Sequence, residues 1–133
     1  MPTYFTIQEA NAALPAVIQK YKALQQQRAE VQKLEAQLNS SMGISFNLGD
    51  YATLKKQLNS AVTKFYAAVE ELENSGAVLK SLEEGLLDFP SKRFDEDVWL
   101  CWKEGETEIK FWHEKDVGFM GRKPLSVSDE SLV

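Results

Sequence analysis

The sequence is poor in the residues that define several protein classes. It holds one cysteine, Cys101, and one histidine, His113, among 133 residues. A single cysteine excludes an intrachain disulfide, so the fold does not require an oxidising compartment. Only 4 prolines and 7 glycines are present, which excludes collagen-like and proline-rich disordered chains. No stretch reaches the roughly 18 consecutive apolar residues that a transmembrane helix needs, so none is predicted.

Positive charge is also scarce. The chain carries 15 basic and 20 acidic side chains, a formal net charge of −5. We therefore expect neither a nonspecific nucleic-acid surface nor binding to anionic membranes, because both need an excess of basic residues. The first residues lack a basic segment followed by an unbroken apolar run, so no signal peptide is predicted. These absences together favour a cytoplasmic protein.

What the first half does contain is the periodicity of two helices. Thr6 and Glu9 fit a capping box at the start of the first helix. Apolar residues then recur every seven positions, at Ala10, Val17, Leu24, Val31 and Leu38. A second series with the same spacing comprises Tyr51, Leu58, Phe65 and Leu72. Two such stripes predict two helices that pair antiparallel as a hairpin.

Four local signals mark the course of these helices. Pro15 is expected to kink the first helix without ending it. Residues 39–49 contain serine, glycine and asparagine and predict the connection. Asp50 is the expected N-cap of the second helix, and Gly76 is expected to end it in a left-handed conformation.

The second half predicts a small antiparallel sheet of about four strands. Short apolar or alternating runs occupy residues 77–80, 86–89, 97–103 and 106–113. Pro90 is expected to end the second strand, and Glu104 with Gly105 predicts a two-residue hairpin loop. That loop places Val98 opposite Phe111, so His113 is expected on the face opposite Cys101.

The predicted fold class is therefore α+β, a long antiparallel helical hairpin followed by the small sheet. We expect one domain over residues 1–125, with the hairpin at 6–75 and the sheet and C-terminal loop at 76–125. Residues 126–133 are predicted to be a disordered tail. A two-helix hairpin cannot cover both of its apolar stripes, so a homo-oligomer, a dimer in the first instance, is expected through coiled-coil contacts. The alternative is a monomer with solvated helices.

Four segments resemble a known family. They are FTIQEANAALP, GLLDFP, VWLCWKEGE and FWHEKDVGFMGRKPL. These segments are similar to those of DUF2203, a family of small bacterial proteins of unassigned function, and the similarity spans Tyr4 to Leu125. The resemblance implies a bacterial cytoplasmic protein with a helical hairpin and a sheet, and it implies no reaction.

Candidate metal ligands concentrate in the acidic second half. The set comprises His113, Asp116, Asp88, Glu114 and Glu108. Imidazole and carboxylate groups suit divalent Zn, Mn or Fe. A metal-binding protein or small metal-dependent enzyme is thus the alternative to a noncatalytic binding and assembly protein. His113 has a simpler interpretation, a core histidine whose ring nitrogens bond to a nearby carboxylate or carbonyl.

The segment after His113 is a candidate anion site. Gly118 and Gly121 would let a loop present backbone N–H groups, and Arg122 offers a planar fork to a carboxylate or phosphate. The alternative is that the glycines form turns and Arg122 pairs with Asp116 or Asp88. No phosphate-binding glycine motif has the required spacing, so no organic cofactor is predicted. No residue is assigned a catalytic role, and Cys101 is interpreted as a small strand residue.

Overall fold

Two helices precede five strands, so the α+β prediction is confirmed, with five strands instead of about four. The computed structural model describes residues 4–43 and 45–125. The elements are α1 (Ile7–Ser40), α2 (Leu48–Asn74), β1 (Val78–Ser81), β2 (Leu86–Arg93), β3 (Glu96–Lys103), β4 (Phe111–Glu114) and β5 (Lys123–Pro124). The strands form one antiparallel sheet in chain order. The predicted disordered tail, 126–133, lies outside the described residues.

The chain divides into two compact units. The sheet unit consists of the chain up to Ile18 and from Leu72 onward, and the hairpin unit consists of Gln19–Glu71. The first turns of α1 thus belong with the sheet, while the rest of α1 and most of α2 form the hairpin. None of the described helices is both long and apolar enough to cross a membrane.

Local signals set the helix ends. The Thr6 N–H donates to Glu9 Oε1 at 2.9 Å and the Glu9 N–H donates to Thr6 Oγ1 at 3.0 Å, which confirms the capping box. Helix α1 continues through Pro15. The predicted N-cap of α2 was wrong: Asn47 Oδ1 accepts from the Asp50 N–H at 3.0 Å, and the helix begins at Leu48. An asparagine oxygen caps as well as an aspartate oxygen, and Asn47 lies where the chain turns.

In the hairpin unit the two helices lie side by side and antiparallel. Leu34 and Ala61 line one groove, while Lys20 and Ala68 line another further along. The buried apolar residues described in this unit are Tyr21, Leu24, Leu34 and Ala61. Other stripe residues are only half-buried: Val31, Leu38, Tyr51, Leu58 and Phe65. The predicted apolar stripes are therefore present on both helices, but packing within the hairpin unit buries them only in part.

The core of the sheet unit lies on one sheet face. Its fully buried side chains include Leu87, Phe89, Leu100 and Trp102. Phe5 packs edge-on against Phe89 with ring centroids 5.2 Å apart. Asn11, in the first turns of α1, accepts from the Ile109 N–H at 2.7 Å. These contacts fix the start of α1 to the sheet.

Strand β2 passes through Pro90 and ends at Arg93, so the predicted end at Pro90 was wrong. Pairing with β1 reaches only Asp88, and beyond it no strand among residues 4–43 and 45–125 lies on the β1 side of β2. A missing N–H is tolerated at such an edge position. The Pro90 carbonyl there accepts from the Phe5 N–H at 2.7 Å, so the N-terminal segment takes the place of a strand.

The predicted pairing of β3 with β4 was also wrong. Val98 lies opposite Glu114 and not opposite Phe111, an offset of three residues. The connection is correspondingly longer than two residues: Trp102 Nε1 donates to the Glu106 carbonyl at 2.8 Å, and Glu106 Oε1 accepts from the Lys103 N–H at 2.6 Å. An odd offset reverses the face of every β4 side chain. His113 therefore shares a face with Cys101, contrary to the prediction.

Candidate metal site

Three adjacent strands each contribute one polar side chain to the same sheet face. Asp88 on β2 is paired with Cys101 on β3, and His113 on β4 is paired with Trp99, two residues from Cys101 on that strand. Because side chains alternate along a strand, all three project from the face opposite Leu100. Asp88, Cys101 and His113 are 2%, 1% and 3% exposed, so the cluster is removed from bulk water.

The ligand atoms of this cluster converge. His113 Nε2 lies 2.9 Å from Asp88 Oδ2. One carboxylate oxygen, the thiol sulfur and one imidazole nitrogen all lie within 4.8 Å of one another. His113 Nδ1 lies 2.9 Å from the Glu114 carbonyl oxygen. A carbonyl only accepts, so Nδ1 carries a proton and Nε2 is directed at the cluster.

One atom of the cluster is left without a hydrogen bond. Asp88 Oδ1 is buried and has no hydrogen-bond partner among the described residues. Buried carboxylate oxygens are normally paired, since an unpaired one costs roughly 1–3 kcal/mol or more. The oxygen belongs to a cluster that also contains an imidazole and a thiol, and all three groups are of kinds that bind divalent metals.

Burial controls the protonation of the cluster. It raises the pKa of Asp88, and the nearby His113 and Lys80 oppose that rise, as does a hydrogen bond between this carboxylate and the Cys101 thiol. Burial also raises the pKa of the Cys101 thiol to about 12, with the Asp88 carboxylate adding to the rise and Arg122 opposing it. The thiol is therefore protonated at neutral pH, and Cys101 is not a ready nucleophile in the metal-free protein. A metal would displace that proton.

A small cavity gives access to the cluster. Its volume is about 100 Å³. Besides the three cluster residues, it is lined by Lys80, Leu86, Lys115, Val117, Gly118 and Phe119. The last three belong to the segment that precedes β5, so this segment forms the wall of the cavity above the sheet.

The DUF2203 family model, described as an uncharacterized conserved protein, matches residues 3–125 of the 133. The chain belongs to the DUF2203 family. The resemblance seen in its four segments is thereby confirmed. No curated protein and no solved structure matches the chain. Family membership supplies no reaction, so the chemistry of this DUF2203 member must be argued from its own site.

Three of the predicted metal ligands lie elsewhere. Glu114 follows His113 on β4 and therefore projects from the other face, where its carboxylate pairs with Lys123, which lowers the pKa of Glu114. Glu108 lies 3.8 Å from Lys110 on the exposed connection between β3 and β4. Asp116 is exposed. The structure thus brings Asp88 to His113, because the observed register of β4 puts both on one sheet face, and leaves the other three acids outside the cluster.

In the predicted anion-binding segment, the arginine is already bound to other residues of the chain. Arg122 Nη1 lies 3.0 Å from Glu106 Oε2, and the guanidinium stacks 3.8 Å from the Phe111 ring centroid. The alternative of an internal pair is therefore what the structure contains, although the acid is Glu106 and not Asp116 or Asp88. Gly121 packs so closely on Val117 that a Cβ would lie 2.0 Å from a methyl carbon, and Gly118 lines the cavity.

Sequence reasoning missed Cys101 as a member of the site. The signal was available in part: strand alternation puts Cys101 two residues from Trp99 on one face of β3. Only the register of β4 decided whether His113 joins that face. The chain does turn at Glu104 and Gly105, where the Glu106 N–H donates to the Lys103 carbonyl at 3.0 Å, but strand pairing resumes only at Phe111, and this longer connection sets the register.

Proposed function

We propose that the chain is a divalent-metal protein whose metal is held by Asp88, Cys101 and His113. The observation that carries this proposal is the buried, unpartnered Asp88 Oδ1 beside two further ligand atoms. A thiol, an imidazole and a carboxylate form a mixed ligand set that suits Zn²⁺, ahead of Mn²⁺ or Fe²⁺. The predicted ligand set changes accordingly, with Cys101 replacing Glu108, Glu114 and Asp116.

The orientation of His113 supports this proposal. Histidines that bind metals almost always donate the other ring N–H to a carboxylate or a carbonyl, which fixes the tautomer. The Nδ1 contact with the Glu114 carbonyl does this, and Nε2, which bonds to Asp88 Oδ2 at 2.9 Å, is the nitrogen that would bind a metal. The same contacts also satisfy the simpler interpretation of His113, a core histidine whose ring nitrogens bond to a carbonyl and a carboxylate, so the metal titration below must decide between the two.

The number of ligands suggests what the metal would do. Structural zinc sites close their tetrahedron with four protein ligands, whereas catalytic sites use three and keep one position for water or substrate. Three ligands are available here, and the cavity of about 100 Å³ adjoins them. We therefore favour a small metal-dependent enzyme, in which the metal polarises a bound molecule or water, over a structural metal.

Metal titration tests this proposal. Untagged, EDTA-treated protein should bind one Zn²⁺ per chain, measured by calorimetry and elemental analysis. A polyhistidine tag must be absent because it binds metals itself. Co²⁺ in place of zinc should give a thiolate charge-transfer band that Cys101→Ala abolishes.

Matched variants make the assignment specific. His113→Ala and Cys101→Ala should lower the affinity for Zn²⁺ by at least about tenfold, since each removes one of three ligands. Glu108→Gln, in an exposed acid outside the cluster, should leave it unchanged. Failure of the wild-type protein to bind stoichiometric metal, or equal binding by all variants, would refute the metal site.

A second function, assembly with another copy of the chain, is supported by the hairpin unit. Leu58 and Phe65 occupy heptad positions yet are only half-buried, and Tyr66 is 67% exposed. Sustained seven-residue repeats with incomplete burial are typical of helices that join a coiled-coil bundle. We propose a homodimer through this unit. Both functions fit a cytoplasmic protein, in which Cys101 stays reduced.

Light scattering tests the dimer. The mass at tens of micromolar protein should be about twice the 15.1 kDa of the chain. Leu58→Asp should shift the mass toward the monomer, because it places a charge at a heptad position of the proposed dimer interface. Its neighbour Asn59 is exposed, so Asn59→Asp should leave the dimer intact. A wild-type mass of one chain would refute this assembly.

A further inference from the structure

The cavity beside the three candidate ligands is lined by more basic than acidic side chains. Two lysines, Lys80 and Lys115, line it, and Asp88 is the one acid among its lining residues. A divalent cation would be neutralised by the Asp88 carboxylate together with a Cys101 thiolate. The two ammonium groups would then remain at the cavity without an acid inside it.

The two lysines differ in how they are held. Lys115 Nζ lies 3.5 Å from Asp97 Oδ2, so its charge already has a partner. Lys80 Nζ lies 4.0 Å from the centroid of the Trp99 ring, and no carboxylate in the described part of the chain lies within ion-pair distance of it. The ring positions the ammonium group at the cavity without neutralising it. Lys80 is near enough to Asp88 to oppose the rise of that group's pKa.

The shape and the remaining walls restrict the ligand further. A volume of about 100 Å³ corresponds to roughly three water molecules of the liquid, which suits a group of about four or five non-hydrogen atoms. Leu86, Val117 and Phe119 make the rest of the wall apolar. Such a lining suits a carboxylate with a short apolar substituent better than a fully polar oxyanion such as phosphate, whose outer oxygens would lose their hydrogen bonds.

We propose that the open position of the metal site takes the carboxylate of a short-chain acid, with Lys80 as its counter-cation. The proposal rests on the metal site proposed above and names the ligand class of that site. One carboxylate oxygen occupies the open position on the metal, and the ammonium group of Lys80 binds the carboxylate from the side of Trp99. Lys80 is a binding residue in this arrangement and takes no part in proton transfer.

Co²⁺-loaded full-length protein provides the test. Sodium acetate is titrated at constant ionic strength while the visible Co²⁺ absorption is followed, and a saturable spectral change is expected. Lys80→Ala should weaken acetate binding about tenfold, as expected for loss of a charge-assisted hydrogen bond, and Lys80→Arg should restore most of it. Lys80 is exposed, so its replacement should leave the fold and the Co²⁺ stoichiometry intact. Lys110→Ala, an exposed lysine paired with Glu108, serves as the control and should bind acetate as the wild type does.

The possible failures are distinguishable. A Co²⁺ complex with the thiolate band whose visible spectrum does not respond to acetate overturns the carboxylate proposal and leaves the metal site standing. Saturation by inorganic phosphate but not by acetate also overturns it, since the apolar walls would then not select the ligand. Equal acetate affinity of Lys80→Ala and the wild type removes Lys80 from the site. Absence of the thiolate band itself overturns the metal site, and this proposal with it.

Discussion

At the scale of single residues, Asp88 combines an acidic group with almost complete burial. One of its oxygens faces His113 Nε2 at 2.9 Å, while the other has no hydrogen-bond partner among the described residues. A leucine at this position would avoid that cost, and an asparagine would avoid burying a charge. Natural proteins keep such unfavourable groups mainly where function requires them. The energetic conflict at Asp88 therefore supports the metal site more strongly than the presence of His113 does.

Replacement of this acid should separate stability from metal binding. In Asp88→Asn the amide N–H₂ can donate to Nε2 of His113, whose Nδ1 carries the proton, so the metal-free protein should be as stable as the wild type or more so. Its affinity for Zn²⁺ should fall by at least about tenfold. Urea unfolding in EDTA and zinc titration measure the two effects.

Asp116→Asn is the control for this pair of measurements, because Asp116 is exposed and outside the cluster. It should change neither quantity, within about 0.5 kcal/mol for stability. A loss of more than about 2 kcal/mol in metal-free Asp88→Asn would show that the carboxylate serves the fold.

At the scale of elements, the turns carry the unexpected backbone conformations. Strands β2 and β3 are joined by the two residues Phe94 and Asp95, with φ of 49° and 68°. Two-residue hairpin turns of this kind favour Asn-Gly or Asp-Gly, because positive φ is costly for other residues. The sequence contains no glycine here, which is why the tight turn could not be predicted at this position.

Relief of that strain should stabilise the protein. Asp95→Gly is expected to raise the free energy of unfolding by about 1 kcal/mol, since glycine adopts positive φ without steric penalty. Chemical denaturation measures the gain. An unchanged or lower stability would mean that the Asp95 side chain contributes more to the turn than its backbone strain costs.

Two glycines with positive φ allow the cost of a steric clash to be measured separately from the cost of backbone strain. Gly76, after α2, has φ +96° and a Cβ there would lie 2.8 Å from the Phe5 ring, whereas Gly105 has φ +101° and open space around it. Both Ala variants should lose about 1 kcal/mol from the positive φ. Gly76→Ala should lose a further 1–3 kcal/mol, roughly the cost of overpacking.

Thermal or urea unfolding of these two glycine variants provides the comparison. Equal losses would show that the Phe5 ring moves aside freely. In that case the edge-on contact between Phe5 and Phe89 contributes little to holding the start of α1 on the sheet.

At the scale of the whole molecule, the two units differ in how well they bury their apolar residues. The sheet unit contains many fully buried side chains, among them Leu87, Phe89 and Leu100. In the hairpin unit most heptad residues are half-buried. A pair of helices with so little buried surface gains most of its stability from further packing. That is the physical reason to expect a second copy.

This expectation predicts concentration-dependent stability. If dimerisation stabilises the folded chain, the thermal midpoint should rise when the protein concentration is increased about a hundredfold, by mass action. Calorimetry or circular dichroism at several concentrations measures it. A midpoint independent of concentration, in a protein that light scattering finds monomeric, would leave the hairpin as a solvated monomeric element.

The sequence by itself determined the helices and the α+β class, because their signals are local. Thr6 and Glu9 lie three residues apart, and Gly76 lies two residues after the end of α2. Heptad spacing likewise needs no information from distant residues. The approximate positions of β1, β2 and β3 followed from alternation and apolar runs for the same reason, whereas the run 106–113 overlaps β4 only at its end and β5 was not predicted.

The tertiary structure alone decided the candidate site. Asp88, Cys101 and His113 come from three strands, and their meeting depends on a pairing register that no short stretch of sequence specifies. Strand pairing that resumed directly after the turn at Glu104 and Gly105 would have put His113 on the opposite face. The longer connection held by Trp102 and Glu106 put it beside Cys101 instead. A strand has a period of two, so an offset of three residues is enough to create or remove this cluster.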